Sequence, residues 1–333
     1  MSYILKDCIT QKELLDVKSL LEKQGLRFED KVTYTMGYFD GNVLIATGSL
    51  YRNVIKMIAV DTDYQHENIT ALIMTTLTHK LQQQGIVKYF LYTTPQNKKF
   101  FEQFSFSLID ETETISLLEN TIYPIKEHLK NIKNKLHLKE GTTGAIIMNC
   151  NPVTLGHLHL IETCAKENTN VLIFLVEEDQ SIFSFETRFR LLKAATSHID
   201  NVHIIPSTPY IISSATFPTY FLKELNDVSK LFMELDVSIF SKYFIPLFDI
   251  DYRYVGEEPL DPTTNAYNQC LRKILGRQLI IIKRLSSNSI VVSASLVRKL
   301  AQNKQYDELK SYVPKTTYEF LISEQGRVLF HEK

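Results

Sequence analysis

The chain has 333 residues, 44% of them hydrophobic and 23% charged, with a formal net charge of −1. These values suit an ordinary globular protein long enough for two cores, and they leave no Lys/Arg stripe of the kind a nucleic-acid partner requires. Apolar runs such as residues 171–176 and 279–282 are far too short to span a bilayer, so a membrane is not an expected partner either.

The N-terminus, MSYILKDCIT, lacks the basic-then-apolar order of a secretory signal. Cys8, Cys150, Cys164 and Cys270 are scattered without metal-ligand spacing, so reduced thiols in a cytoplasm are expected, and no metal site held by the protein. Residues 10–24 predict an amphipathic helix through Leu14, Val17 and Leu21, closed by Gly25. Asp40-Gly41 predicts a hairpin between two strands. A strand over 53–60, a helix over 69–84 ended by Gly85, a strand over 87–93, a helix over 95–104 and a strand over 106–109 follow. Residues 123–140 read as a helix-prone connector with a solvated lysine face. Gly141-Thr142-Thr143-Gly144 breaks it, which places a domain boundary near residue 135.

Residues 145–148, AIIM, are a short apolar run suited to a buried parallel strand, stopped by the turn chemistry of Asn149-Cys150-Asn151-Pro152. From Gly156 the apolar period becomes helical, with Thr154-Leu155-Gly156-His157 at the helix mouth. Unpaired N–H groups and a positive dipole end make such a mouth a phosphate site. Gly156 lets a phosphate approach the backbone, and His157 adds a donor that can be cationic. Cys150 reads as a small packing residue rather than a nucleophile.

Further strands are predicted over 171–176, 202–205, 249–255, 279–283 and 290–292, and helices over 186–198, 262–275 and 295–302. That alternation predicts a doubly wound parallel sheet with ligands at the strand C-terminal ends. The irregular stretch 206–248, rich in Ser, Thr, Phe and Tyr, is a candidate cover for the site. Ser293-Ala294-Ser295-Leu296-Val297-Arg298 opens the last of these helices as a second phosphate-binding mouth, with Arg298 one turn in as a forked cation.

Two resemblances add to this reading. The element order of residues 1–125, with Phe100-Phe101 before Ser105-Phe106, resembles a GNAT-type acetyltransferase fold. In that fold a glycine-rich loop cradles the pyrophosphate of acetyl-CoA. Here the loop is Gln65-His66-Glu67-Asn68-Ile69-Thr70 without glycine, so acetyl-CoA turnover is not expected, though contact with a pantetheine-like arm stays open. T-L-G-H and S-A-S-L-V-R resemble the two signatures of the nucleotidyltransferase superfamily. The expected fold is therefore α/β, with a GNAT-like α+β domain (1–135) before a Rossmann-like parallel-sheet nucleotidyltransferase domain (136–333).

The run N-C-N-P-V-T-L-G-H, residues 181–188 (S-I-F-S-F-E-T-R), residues 210–221, residues 254–259 (Y-V-G-E-E-P) and S-A-S-L-V-R is similar to the citrate lyase ligase family over essentially the whole chain. It departs at Val153 and at Leu158-His159, where Phe and Arg-Tyr are common, with His159 the candidate replacement for the arginine. The resemblance implies an acid–thiol ligase using ATP and Mg2+, with acetate and the acyl carrier subunit of citrate lyase, bearing a phosphoribosyl-dephospho-CoA arm, as partners. It implies His157, Thr154 and Arg298 as catalytic, and Asn149, Asn151, Pro152, Gly156, Arg188, Gly256, Glu257, Ser293 and Ser295 as nucleotide- or phosphate-binding. Alternative readings are an adenylyltransferase acting on a phosphomonoester, an N-acetyltransferase using the front domain and a non-catalytic carrier-binding protein.

Overall fold

The computed structural model describes residues 3–65, 68–177, 181–211, 217, 220, 228–258, 262–287 and 290–331. The chain forms two compact units, Met1–His128 with Thr216–Leu235, and Leu129–Ala215 with Asp236–Lys333.

The front unit contains β1 (Tyr3–Asp7), α1 (Gln11–Lys23), β2 (Tyr34–Asp40), β3 (Val43–Tyr51), β4 (Val54–Val60), α2 (Ile69–Gln83), β5 (Tyr89–Thr93), α3 (Lys98–Glu102), β6 (Ser107–Glu111) and β7 (Ser116–Asn120). Its seven-stranded sheet runs β1-β2-β3-β4-β5-β7-β6, antiparallel apart from the parallel β4–β5 pair. A capping box starts α1: the Thr10 hydroxyl accepts from the Glu13 N–H, and the Glu13 carboxylate accepts from the Thr10 N–H. The apolar stripe of α2, Ile73, Leu77 and Leu81, packs in one core with Ile45, Leu50, Ile55 and Leu91 of the sheet. The unit is an α+β domain, as the element order predicts.

Two of its strands are not predicted from the sequence. In β1, four of five residues are exposed, so no inward alternation marks it. In β7, buried polar residues break the pattern: Ser116 Oγ donates to Glu111 at 3.0 Å, and Glu119 accepts the Ile125 N–H at 2.9 Å. Of the loop expected to have lost its pyrophosphate cradle, 66–67 lie outside the described residues, and Asn68 N-caps α2 without a side-chain bond.

After β7 come α4 (Ile125–Lys133), β8 (Thr143–Met148), α5 (Leu155–Glu167), β9 (Asn170–Leu175), α6 (Phe185–Ala195), β10 (Val202–Pro206), α7 (Val228–Ile239) and α8 (Ile245–Phe248). Then follow β11 (Tyr252–Gly256), α9 (Pro262–Leu275), β12 (Leu279–Ile282), β13 (Ser286–Ser287), β14 (Ile290–Val291), α10 (Ala294–Gln302), α11 (Tyr306–Leu309), α12 (Lys315–Ile322) and α13 (Glu324–His331). The rear unit is built on a five-stranded parallel sheet, β10-β9-β8-β11-β12. From β8 the chain winds outward through β9 and β10, then crosses to the other side for β11 and β12. The pair β8–β11 is therefore the point where strand order reverses. Its ladder holds only Tyr252↔Gly144 and Arg253↔Ala145, while β8–β9 stays in register from Thr143 to Met148. A crevice opening between strand C-terminal ends at such a point is the usual ligand position of this architecture.

Three expectations are corrected. Residues 206–248 are not irregular throughout: 228–239 are helical, Phe240–Phe244 continue as a π-helical turn and 245–248 as a helical turn. The π-helical turn and α8 send Phe244 and Phe248 edge-on against Phe174 of β9, with centroids 5.3 and 5.5 Å apart. Phe217 and Tyr220, from the same stretch, pack in the front unit, where the Tyr220 hydroxyl donates to the Tyr92 carbonyl at 2.9 Å. The expected strand at 290–292 belongs to a two-stranded antiparallel ladder, β13–β14, outside the parallel sheet.

The third correction concerns Thr143 and Gly144, expected to break the chain, which begin β8. A Cβ on Gly144 would stand 2.5 Å from Cys164 Sγ and 2.8 Å from Asn168 Nδ2, so the missing side chain lets α5 lie directly on the strand. Gly144→Ala should destabilise the protein by about 1–3 kcal/mol in urea unfolding, the usual cost of overpacking. Adding Cys164→Ala should recover part of that loss, since the two positions share one space. Equal stability of Gly144→Ala and wild type would contradict this packing.

Candidate active site

Thr154 is the N-cap of α5, with extended backbone (φ −122°, ψ 166°). Its Oγ1 accepts the His157 N–H at 3.3 Å, while His157 Nδ1 accepts the Thr154 N–H at 3.0 Å and lies 2.9 Å from Thr154 Oγ1. This is a capping box in which an imidazole replaces the usual Glu or Gln. A backbone N–H can only donate, so Nδ1 holds its lone pair and the neutral ring carries its proton on Nε2. Burial, with the nearby Arg284 charge second, lowers the imidazole pKa to about 4. The expected cationic donor is therefore corrected: His157 offers a neutral, oriented N–H. Gly156 sits in the same turn, and a Cβ there would meet the Val292 carbonyl oxygen at 3.1 Å. Its lack of a side chain accommodates the backbone leading to the second helix mouth.

The loop before α5 turns through Cys150 in the left-handed region (φ 52°) and a cis Asn151–Pro152 bond. Arg188 on α6 fastens it. Its Nη1 donates to the Asn149 carbonyl (2.8 Å), to Asn149 Oδ1 (2.8 Å) and to the Val176 carbonyl (2.7 Å), and its Nε to the Phe183 carbonyl (3.1 Å). Arg188 is fully buried, so its expected contact with phosphate is corrected to a structural clamp on the loop. Asn151 is likewise spent on structure: its Oδ1 accepts the Phe183 N–H and its carbonyl accepts from Arg298. Pro152 is buried beside it. The Cys150 thiol is 1% exposed and pushed far up by burial, which suits packing and not nucleophilic attack.

Ser293 N-caps α10 by accepting the Leu296 N–H at 3.2 Å. Arg298, one turn on, donates through Nη1 to the Asn151 carbonyl at 2.6 Å and through Nη2 to Ser295 Oγ at 3.0 Å. Among the described residues its recorded bonds thus join the second mouth to the loop of the first.

A cavity of about 670 Å³ lies where the C-terminal ends of β8, β11 and β12 meet the two mouths. Asn149, Thr154, Gly156, His157, Gly256, Ser293 and Ser295 line it, as does His159. Asn151, Pro152, Arg188, Glu257 and Arg298 do not. Glu257 borders a smaller neighbouring cavity of about 340 Å³, while its backbone bonds Ile282 and Arg284. The lining adds residues the sequence reading passed over: Arg253, Lys283, Arg284, Tyr267 and Asn268. Arg284 is paired with the buried carboxylate of Glu258, so cations still outnumber anions on the wall. Lys283-Arg284 had a readable signal, since two cations directly follow the apolar strand LIII, where ligands of a parallel sheet bind.

The family description "Citrate lyase ligase C-terminal domain" matches residues 143–321. The citrate (pro-3S)-lyase ligase of Klebsiella pneumoniae is 33% identical over 288 residues, 84% of each chain. That of Haemophilus influenzae is 30% identical over 321 residues, 93% of this chain and 96% of its own. A solved structure, Escherichia coli ElaA, is 12% identical and covers 36% of this chain and 99% of its own, with a TM-score of 0.32. The chain belongs to the citrate lyase ligase family.

His157 should titrate with a midpoint near 4 in an NMR pH series, its ring signals unchanged between pH 6 and 8. The unfolded imidazole takes up its proton near 6.5, so between 6.5 and about 4 the unfolded chain binds more protons, and this residue's contribution to stability falls as the pH is lowered through that window. A midpoint above 6 would contradict the neutral capping geometry.

Proposed function

We propose that this ligase activates acetate with ATP and passes the acetyl group to the thiol on the phosphoribosyl-dephospho-CoA arm of the citrate lyase acyl carrier. The supporting relatives are citrate lyase ligases by name. The observation that carries the chemistry is the convergence of two N-capped helix mouths, at Thr154 and Ser293, on one cavity with cationic walls.

The acetate oxygen attacks the α-phosphorus of ATP, the bond to the bridging oxygen breaks, and pyrophosphate leaves with that electron pair, giving acetyl-AMP. The carrier thiol then attacks the acetyl carbon, the thioester forms, AMP departs as a phosphate anion, and the thiol proton passes to solvent. A carboxylate approaching a polyanion is slowed by charge repulsion and by disorder, so oriented donors and cations are what the protein must supply. His157 supplies Nε2–H to a phosphate oxygen, beside the Gly156 N–H of the α5 mouth, while the Leu155 N–H of the same turn donates to the Tyr312 carbonyl at 2.9 Å. The α10 mouth with Ser293 and Ser295, and the Lys283 and Arg284 cations, receive the outgoing pyrophosphate. Arg298 and Arg188 are positioning residues that hold the loop and the second mouth in register. Gly256 leaves open space where a side chain would project, since a Cβ there meets nothing within 4 Å.

Magnesium enters as part of the nucleotide substrate. Among the described residues no group of three or more His, Cys, Asp or Glu side chains could hold a metal ion. Among them, too, no helix is long and apolar enough to cross a membrane. A cytoplasmic setting for the carrier and its ligase is part of the proposal.

Pyrophosphate release from ATP should depend on acetate, and His157→Ala should lower its rate by roughly 10²–10³-fold, the loss typical of one transition-state donor. Release that ignores acetate, or a near-normal rate in the variant, would overturn the assignment.

A further inference from the structure

Resting on that reading, we propose that Arg253 is the binding residue for the carboxylate of the acid substrate. It is the second residue of β11, paired with Ala145 on one side and Leu279 on the other, so it stands in the middle of the parallel sheet. It is 2% exposed yet borders the same cavity as His157. Its Nη2 donates to the Tyr267 hydroxyl at 3.0 Å, and that hydroxyl in turn donates to Asp236. Its Nε and Nη1 have no hydrogen-bond partner among the described residues, which leaves three N–H groups unmatched. The guanidinium carbon lies 4.4 Å from the centre of the Phe240 ring.

Buried donors of a cation are costly to leave unmatched, and native structures seldom do so without a ligand in view. The helix mouths already answer the polyphosphate. At Arg253 there is one cation against the Phe240 ring, and Ile147, Leu160 and Val255 line the same cavity. Such a place suits a small monoanion with a short apolar tail, and an acid of that form is the nucleophile of the first step. A carboxylate held through one oxygen keeps the other for attack on phosphorus. The family signatures do not include this residue, and its place in a strand interior reads locally as core.

The test compares the full chain with Arg253→Met and Arg253→Lys. Met has nearly the length of the arginine stem and no unmatched donors, so Arg253→Met without ligand should melt no lower than wild type. Its KM for acetate in pyrophosphate release should rise roughly 10–100-fold, the loss of a charge-assisted bond, with the KM for ATP within about 3-fold. Arg253→Lys should recover part of the acetate affinity, and acetate should raise the melting temperature of wild type but not of Arg253→Met. An unchanged KM for acetate overturns the proposal, as does a joint rise for ATP and acetate, which would make Arg253 a phosphate contact. An Arg253→Met that melts well below wild type or fails to fold also overturns it, because the side chain is then a structural cation. If wild type shows no acetate-dependent pyrophosphate release, the functional reading falls separately, and the acetate-dependent melting shift still decides whether Arg253 holds a carboxylate.

Discussion

Arg298 donates to the carbonyl of Asn151, 147 residues earlier in the chain, and to Ser295 within its own helix. Through that guanidinium the loop in front of α5 and the start of α10 become one rigid edge. Arg188 holds the other side of the same loop, and Gly156 keeps a side chain out of the space that the Val292 carbonyl occupies. Hydrogen bonds from charged donors to buried carbonyls contribute about 1.5–3 kcal/mol each. Two helix mouths therefore point at one cavity without a ligand to assemble them. Positioning of this sort is most of what a phosphorus displacement asks of a protein.

The electrostatics follow from the same packing. His157 is drawn into the cap of its own helix, loses its affinity for a proton and presents a fixed N–H. The positive charge of the wall is carried by Arg253, Lys283 and Arg284, with Glu258 offsetting Arg284. An oriented neutral donor beside permanent cations stabilises charge that develops on phosphate oxygens, and it does so without a change of protonation.

Much of the rear unit was legible because its signals are local. The apolar run of β8, the turn chemistry after it and the helical period from Gly156 each lie within a few residues, and the α10 cap reads the same way. Bonds made to distant partners were not legible. Arg188 and Arg298 look like phosphate ligands from their helix positions, but their recorded bonds are made with a loop that only the fold brings near. Arg253 looks like an inward strand residue, and nothing adjacent to it shows that it borders a cavity with donors left unmatched. Ile290–Val291 has strand composition, yet its partner is Ser286–Ser287 and not the main sheet, a choice made by chain reversal rather than by propensity.

The account holds that the acid attacks the α-phosphorus, so an oxygen of the acid must end on AMP. Acetate labelled with 18O, ATP, magnesium and the carrier should be turned over, and the products examined by mass spectrometry. One labelled oxygen should appear in the phosphoryl group of AMP, with none in pyrophosphate. Label in inorganic phosphate or pyrophosphate, or unlabelled AMP alongside thioester, would contradict attack at that atom and the roles given to both helix mouths.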